Sequence, residues 1–323
     1  SSGLLANNRE FWERHHAHGV LKGMELAHQL FTSIGLSAAA ELARLVSEKK
    51  KASEWEREAK KIRQAMLNDP RFSLISGSEF IKRRSLDGSV QEFIEPLPES
   101  GLPRGAPLAS GRVHRLNPDT SAALPIANSF VPAGSPLALK TLASLETLWN
   151  QAWEGGGYGR YHLSSEPDSP GAWPFPSLFI ARAYAETGNM DNVWRILNWL
   201  NTLPGAQAGS WFEFYGERQA PPFPQVGITP WTWAEMLILL VHHLLGVRPE
   251  AGRLRIKPRL LPGVKHVRCS FRLREGRLDL DLRKRKGKSL SLLSSNCPGS
   301  ESSEQELLIP FSRKEIRVEL SMP

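Results

Sequence analysis

The sequence predicts a mainly α-helical chain of helical hairpins that ends in a small β-sandwich-like domain. Two observations carry this expectation. Up to about residue 248 apolar residues recur every three or four positions, and beyond it short alternating segments take over. Gly, Pro, Asn, Ser or Thr bounds almost every segment, as element ends require. The expected division is a helical region over 1–248 and a β-rich region over 249–323.

The first helix is expected over 15–32, where Val20, Met24, Ala27 and Phe31 share one face. Gly35 and Ser37 separate it from a second helix over 38–46. A third runs from Trp55 to Met66, with Ser53 as N-cap and Pro70 as the stop. Residues 76–118 are rich in Gly, Pro and Ser and read as an elaborate loop with one short strand at 92–94. Helices return over 121–128, 136–153, 174–187, 190–203 and 229–245. Strands follow over 253–257, 264–273, 277–283, 289–293, 306–309 and 314–320. The alternation of Leu278, Asp279, Leu280, Asp281 and Leu282 marks a sheet with one wet face.

With 41% hydrophobic and 23% charged residues over 323 positions, the chain is long enough and apolar enough to bury a sizeable core. No apolar run approaches the roughly 20 residues of a membrane span, so no membrane partner is expected. The net charge of +8 is spread over scattered residues and short runs at 49–51, 83–84 and 283–286. Those runs read as solvated helix ends and strand edges, and no nucleic-acid partner is expected. Cys269 and Cys297 are too few for a disulfide framework or a four-cysteine zinc site. The chain opens on Ser1 without a basic-then-apolar leader, as expected of a sequence that begins inside a longer reading frame or after processing. No compartment is read from this end, with the cytoplasm as the default.

Three aromatic-rich loops carry the chemical information. They are Glu10-Phe-Trp-Glu-Arg-His15; Gly155-Gly-Gly-Tyr-Gly-Arg-Tyr161 with its continuation to Trp173-Pro174; and Gly209-Ser-Trp-Phe-Glu213 with its continuation to Pro230-Trp-Thr-Trp233. Flat apolar rings suit the C–H faces of pyranose sugars, and carboxylates beside them suit acid–base work. His15, His16 and His18 lack the spacing of a metal site, and the glycine cluster at 155–159 lacks the Lys-Ser/Thr of a phosphate loop. No metal or organic cofactor is expected, and the glycine cluster reads as a flexible turn. The stripe Trp194, Leu197, Leu200 and Leu203 reads as core.

Taken in order, Trp-Glu-Arg, Gly-Arg-Tyr with Trp-Pro, and Gly-Ser-x-x-Glu with Thr-x-Trp resemble the glucoamylase-like inverting glycoside hydrolases of the (α/α)6 six-hairpin fold. The stretches 245–249 and 254–262 resemble the junction to the β-domain in related six-hairpin glycosidases. The resemblance implies a partial (α/α)6 toroid, because the seven or eight helices expected here fall short of a full ring of twelve. It implies that the N-terminal part of the barrel lies before Ser1 as a missing partner half.

The resemblance further implies that Glu13 is the general acid and Glu213 the general base. Glu13 also suits a plain helix N-terminus, and Glu217 rivals Glu213. By resemblance Arg160 would bond sugar hydroxyls and Trp173 would stack near the scissile bond, with Trp12, Tyr161, Trp211 and Trp231 completing the sugar-binding set. A surface arginine and a core tryptophan at a helix start are the structural alternatives for Arg160 and Trp173. His162-Leu-Ser-Ser165 and Phe214 depart from the family pattern. The expected function is inverting exo-hydrolysis of α-linked glucans or oligosaccharides. The alternatives are a non-catalytic carbohydrate-binding or regulatory remnant, or another six-hairpin glycosidase or phosphorylase.

Overall fold

The structure, a computed structural model, describes residues 2–12, 22–94, 114–151, 156–162, 171–216, 227, 229–250, 252–273, 276–285, 290–310 and 315–322. The chain divides into two compact units, residues 1–183 with 199–229, and residues 184–198 with 230–323. Seven α-helices and several small sheets lie among the described residues. None of these helices is long and apolar enough to cross a membrane.

In the first unit a short strand β1 (Gly23–Glu25) leads into α1 (Leu26–Leu45), which forms an antiparallel hairpin with α2 (Lys49–Asn68). Small residues, Ala40 and Ala43 on α1 with Ala52 and Ala59 on α2, are buried. Ser33 Oγ donates to the Ala59 carbonyl at 2.9 Å, so a buried hydroxyl is satisfied within the hairpin.

This corrects the expected first and second helices. Residues 15–21 lie outside the described set, residues 23–25 are strand, and one helix runs through Gly35 and Ser37. A mid-helix glycine costs only about 1 kcal/mol, which packing against a neighbouring helix offsets. The strand exists because β1 pairs with β4 (Arg83–Ser85), a partner distant in sequence. Helix α2 likewise starts at Lys49, with Glu48 rather than Ser53 at its N-cap.

The described parts of the Gly/Pro/Ser-rich stretch, 76–94 and 114–118, hold more strand than the one short segment expected. They contain the hairpin of β2 (Ile75–Ser76) with β3 (Glu79–Phe80), then β4, and β5 (Phe93–Ile94) paired with β6 (His114–Arg115). A 3-10 turn (Thr120–Ala123) and α3 (Leu124–Ala127) follow, then α4 (Pro136–Leu145), whose N-cap Ser135 accepts from the Ala138 N–H at 3.2 Å. Helix α4 ends eight residues earlier than expected, because Trp149 and Tyr158 form an antiparallel bridge that draws the chain into extended form. Helices α5 (Pro174–Thr187) and α6 (Met190–Thr202) match their expected spans closely.

The buried positions on α6 are Val193, Ile196, Trp199 and Leu200, whereas Trp194 is 46% exposed. Of the expected stripe, Leu200 is buried, Leu197 and Leu203 are half-buried and Trp194 faces out, so the buried face is turned toward Val193, Ile196 and Trp199. The Trp199 ring lies edge-on to Trp149 at 6.5 Å, and that contact sets the rotation.

In the second unit α7 (Pro230–Ile238) continues as a π-helical turn (Leu239–Leu244). Two four-stranded sheets follow. One orders β12 (Glu301–Ser302), β13 (Leu307–Pro310), β8 (Arg253–Ile256) and β7 (Val247–Glu250); the other orders β11 (Ser291–Ser295), β14 (Glu315–Met322), β10 (Gly276–Lys284) and β9 (His266–Leu273). Leu254, Ile256, Leu307 and Ile309 of the first sheet share one buried cluster with Leu278, Leu280, Leu282, Ile316, Val318 and Leu320 of the second. The alternation along β10 is realised, since its leucines are buried while Asp279 and Asp281 face arginines. Asp281 accepts from Arg268 Nε at 2.6 Å, Arg283 Nε at 2.8 Å and His266 Nε2 at 2.9 Å, which holds its carboxyl far below the usual range despite some burial.

Glu186 is the other ionic hub of this unit. It accepts from His243 Nδ1 at 2.7 Å, Arg248 Nη2 at 2.5 Å and Arg259 Nη2 at 3.0 Å. Burial works to raise its pKa, but the His243 hydrogen bond and the two guanidinium charges bring it down to about 2.

Candidate functional site

Four segments of the first unit converge through backbone and side-chain hydrogen bonds. The N-terminal segment is tied down first. Asn7 and Gly23 exchange main-chain hydrogen bonds of 2.8 Å, and the buried Gln29 amide bonds both the N–H and the carbonyl of Leu5 at 2.9 and 2.7 Å. This places Glu10, Phe11 and Trp12 against the interior. Phe11 and Trp12 meet edge-on at 4.9 Å, and Trp12 stacks on Phe179 of α5 at 6.0 Å.

The centre of the arrangement is polar and buried. Lys82, with no exposed surface, bonds the Glu10 carboxylate and lies 2.6 Å from Asp119 Oδ2. Both Asp119 oxygens accept from Trp12 Nε1 at 3.0 Å, and Oδ1 also accepts from the Ser121 N–H and hydroxyl at 2.8 and 2.5 Å. The Lys82 ammonium sits 5.3 Å from the centre of the Tyr161 ring. Arg83 is also buried, with its guanidinium on Asn7. The expectation of a solvated run at 83–84 is thereby corrected: the fold buries Arg83 and half-buries Arg84, whose guanidinium donates to the carbonyls of Ser73, Ile75 and Gly88.

Asp119 and Tyr161 form an antiparallel bridge, and the Arg160 carbonyl accepts from the Thr120 N–H at 3.1 Å and its hydroxyl at 2.6 Å. Arg160 donates to the Tyr161 hydroxyl at 2.6 Å and lies 4.0 Å over the Trp173 ring. Trp173 is 4% exposed, packs on Phe214 at 5.2 Å, and its Nε1 is a buried donor without a partner among the described residues. The Trp173 N–H donates to the Tyr158 carbonyl at 2.8 Å.

Ala172 and Tyr215 then exchange main-chain hydrogen bonds, joining this loop to the one that carries Glu213. Glu213 is half-buried between exposed Phe212 and buried Phe214. Trp211 donates its indole N–H to the Leu200 carbonyl at 3.0 Å. A recess of about 310 Å³ opens among Glu79, Glu92, Phe93, Arg115 and Asn117, and Asn117 Oδ1 accepts from the Lys82 N–H at 2.8 Å.

The structure thus brings together Trp12, Arg160, Tyr161, Trp173, Trp211 and the Glu213 loop within one unit. Glu13, the three histidines near it and Glu217 lie outside the described residues. Trp231 belongs to the second unit, exposed at the start of α7. In the described part of the glycine cluster, Gly156 and Gly157 adopt positive φ and lie close against the Trp149 and Trp199 rings. Glu10, Glu25, Lys82 and Asp119 were missed, because a charged residue betrays its burial only through partners that are remote in sequence. No group of His, Cys, Asp and Glu that could hold a metal is found among the described residues.

No family model matches the chain, and no curated protein matches it by sequence. Solved structures do. A glycosidase in complex with glucose superposes with a TM-score of 0.51 at 17% identity, over 72% of this chain and 54% of that one. A bacterial glucoamylase complexed with acarbose superposes with a TM-score of 0.54 at 17% identity, over 74% of this chain and 35% of that one. The match therefore spans about half of the first neighbour's length and about a third of the second's. At this identity the likeness is one of fold, and the chain has a glycosidase-type fold over the matched region.

Proposed function

We propose that the chain acts as an inverting exo-glycoside hydrolase on α-linked glucans or oligosaccharides, with Glu13 as general acid and Glu213 as general base. The observation that carries this reading is that Trp12 bonds Asp119, Asp119 bridges to Tyr161, the Trp173 N–H donates to the neighbouring Tyr158 carbonyl, and Ala172 bridges to Tyr215, so parts of all three motif loops lie in one unit. Neighbours in fold described as a glycosidase with glucose and a glucoamylase with acarbose support the substrate class.

In this mechanism Glu13 delivers its proton to the glycosidic oxygen as the C–O bond breaks. Glu213 takes a proton from a water that attacks the anomeric carbon from the opposite face. The water requires a carboxyl separation of about 6.5–9.5 Å, and the single displacement turns an α-linkage into a β-anomer. Arg160, already paired with Tyr161, fixes sugar hydroxyls, and the part-exposed rings of Trp12 and Trp211 bound the sugar faces, while Trp173 and Tyr161, both buried, back Arg160 from behind.

Sugar release from maltooligosaccharides tests the reading. Glu13→Gln and Glu213→Gln should each lose at least about 10²-fold in kcat, and the first-formed product of the wild type should be the β-anomer by NMR. Equal turnover by all three proteins refutes it. A second reading is a non-catalytic carbohydrate-binding protein of the same fold, which the glucose and acarbose complexes of the neighbours equally support. Retained binding of maltooligosaccharide without turnover would select that reading.

A further inference from the structure

The recess of about 310 Å³ in the first unit takes its lining from two short antiparallel pairs, the β2–β3 hairpin and β5 with β6. Glu79 belongs to β3, and Phe93 and Arg115 are partners across the β5–β6 pair, with the guanidinium 5.9 Å from the ring centre. Glu92 precedes β5, and Asn117 follows β6. Buried Ile81 and half-buried Val90 add apolar surface. Neither Glu79 nor Glu92 has an ion pair or a side-chain hydrogen bond among the described residues. Asn117 uses its Oδ1 on the Lys82 N–H at 2.8 Å, which leaves its amide N–H groups to donate elsewhere.

This lining selects a class of guest. Two unpaired carboxylates repel a phosphate or any other anion. A metal ion is disfavoured, because Arg115 brings a like charge and no group of three His, Cys, Asp or Glu side chains that could hold one occurs among the described residues. An apolar guest would strip water from both carboxylates without replacing its hydrogen bonds. A neutral polyol with a C–H face satisfies every group: its hydroxyls donate to the carboxylates and accept from the amide and the guanidinium, and its ring hydrogens lie on Phe93. Small-molecule sites run from about 300 to 1,000 Å³, so the recess has room for one sugar ring rather than several.

The recess also borders the motif loops. Asn117 stands two residues before Asp119, which bonds Trp12 and bridges to Tyr161. Two residues span at most about 7 Å. A chain of sugars seated among those loops therefore has the recess within reach.

We propose that the recess is a distal sugar-binding subsite: it takes one glucosyl unit of an oligosaccharide, with Phe93 on the ring face, Glu79 and Glu92 accepting from hydroxyls, and Arg115 and Asn117 donating to them. The choice of a glucosyl unit rests on the reading of the chain as a protein of α-linked glucans. The geometry is independent of which carboxylates perform the hydrolysis.

The test measures binding of thio-linked maltopentaose and thio-linked maltose, which are not hydrolysed, to the full chain by titration calorimetry. Glu92 and Phe93 are exposed, so Glu92→Ala and Phe93→Ala spare the core. Each should weaken the pentaose about 5- to 10-fold and the disaccharide less than about twofold, because only the longer ligand reaches the recess. Peptides covering residues 75–93 should exchange hydrogen more slowly when the pentaose is bound to the wild type, and lose that protection in the variants. Equal weakening of both ligands would mean a general structural effect and overturn the proposal, as would unchanged affinity for the pentaose, no binding of it by the wild type, or no protection over 75–93. Turnover separates this result from the hydrolase reading. A chain-length effect in a protein that hydrolyses nothing keeps the subsite and removes the hydrolase. Hydrolysis that depends on Glu213 without a chain-length effect does the reverse.

Discussion

Ala172 and Tyr215 exchange both of their main-chain hydrogen bonds, each 2.8 Å long, and this single bridge joins the loop of Trp173 to the loop of Glu213. Gly171 makes the approach possible, since a Cβ at that position would lie 2.4 Å from the Tyr215 carbonyl oxygen. Gly171→Ala should push the loops apart and lower kcat/KM on oligosaccharides by about 10- to 10²-fold. The accompanying loss of stability should be about 1–3 kcal/mol. Steady-state kinetics beside a urea titration measures both, and unchanged kinetics would show that the spacing of these loops is immaterial.

Gly157 and Gly209 offer a matched pair in which backbone strain is shared and packing differs. Their φ values are 78° and 65°. A Cβ on Gly157 would lie 2.3 Å from the Trp199 ring, whereas one on Gly209 meets nothing within 4 Å. Gly209→Ala should therefore cost about 1–2 kcal/mol through left-handed strain alone. Gly157→Ala should cost about 2–4 kcal/mol because the Trp199 ring must shift as well. Denaturant midpoints of the two variants decide between equal and unequal penalties.

The Glu186 hub predicts acid sensitivity with a defined window. Its carboxyl is depressed from 4.5 to about 2 in the folded protein, so the unfolded chain binds the proton more readily. The resulting stability is fully present above about pH 4.5 and is lost as the pH falls through about 2, amounting to roughly 3 kcal/mol. Glu186→Gln should unfold more easily at neutral pH, and its melting temperature should vary less between pH 4.5 and 2 than that of the wild type. Parallel slopes for the two proteins in that window would contradict the assignment.

Cys269, half-buried on β9, has its thiol pushed up to about 11 by burial and by the neighbouring Asp279 charge. The thiolate is the reactive form, so iodoacetamide at pH 8 should alkylate Cys269 about 10²-fold more slowly than an ordinary free thiol. Mass spectrometry of the peptide spanning β9 measures the rate, and labelling at the free-thiol rate would refute the prediction.

Local periodicity made several elements legible. Pro174 opens α5 where a proline suits a helix start, and the helix runs to Thr187 as expected, because both signals depend on residues within a turn of each other. The leucine–aspartate alternation of β10 specified which face is buried for the same reason. The loops rich in tryptophan, glycine and glutamate stood out by composition alone.

Other features depended on partners far along the chain. The start of α1 is set by β1 pairing with Arg83–Ser85, and the rotation of α6 by Trp199 meeting Trp149. Lys82 carried no signal in the sequence, because its partners Glu10 and Asp119 are brought to it only by the fold. The spans of α5 and α6, the buried face of β10 and the motif loops were written in the sequence, because short-range stereochemistry and apolar periodicity are local. Which charges are buried, which glycines must stay bare, how Trp12 is tied to Asp119 and how Ala172 is tied to the Glu213 loop were decided only in the tertiary structure, where each group's energy depends on neighbours that sequence order does not supply.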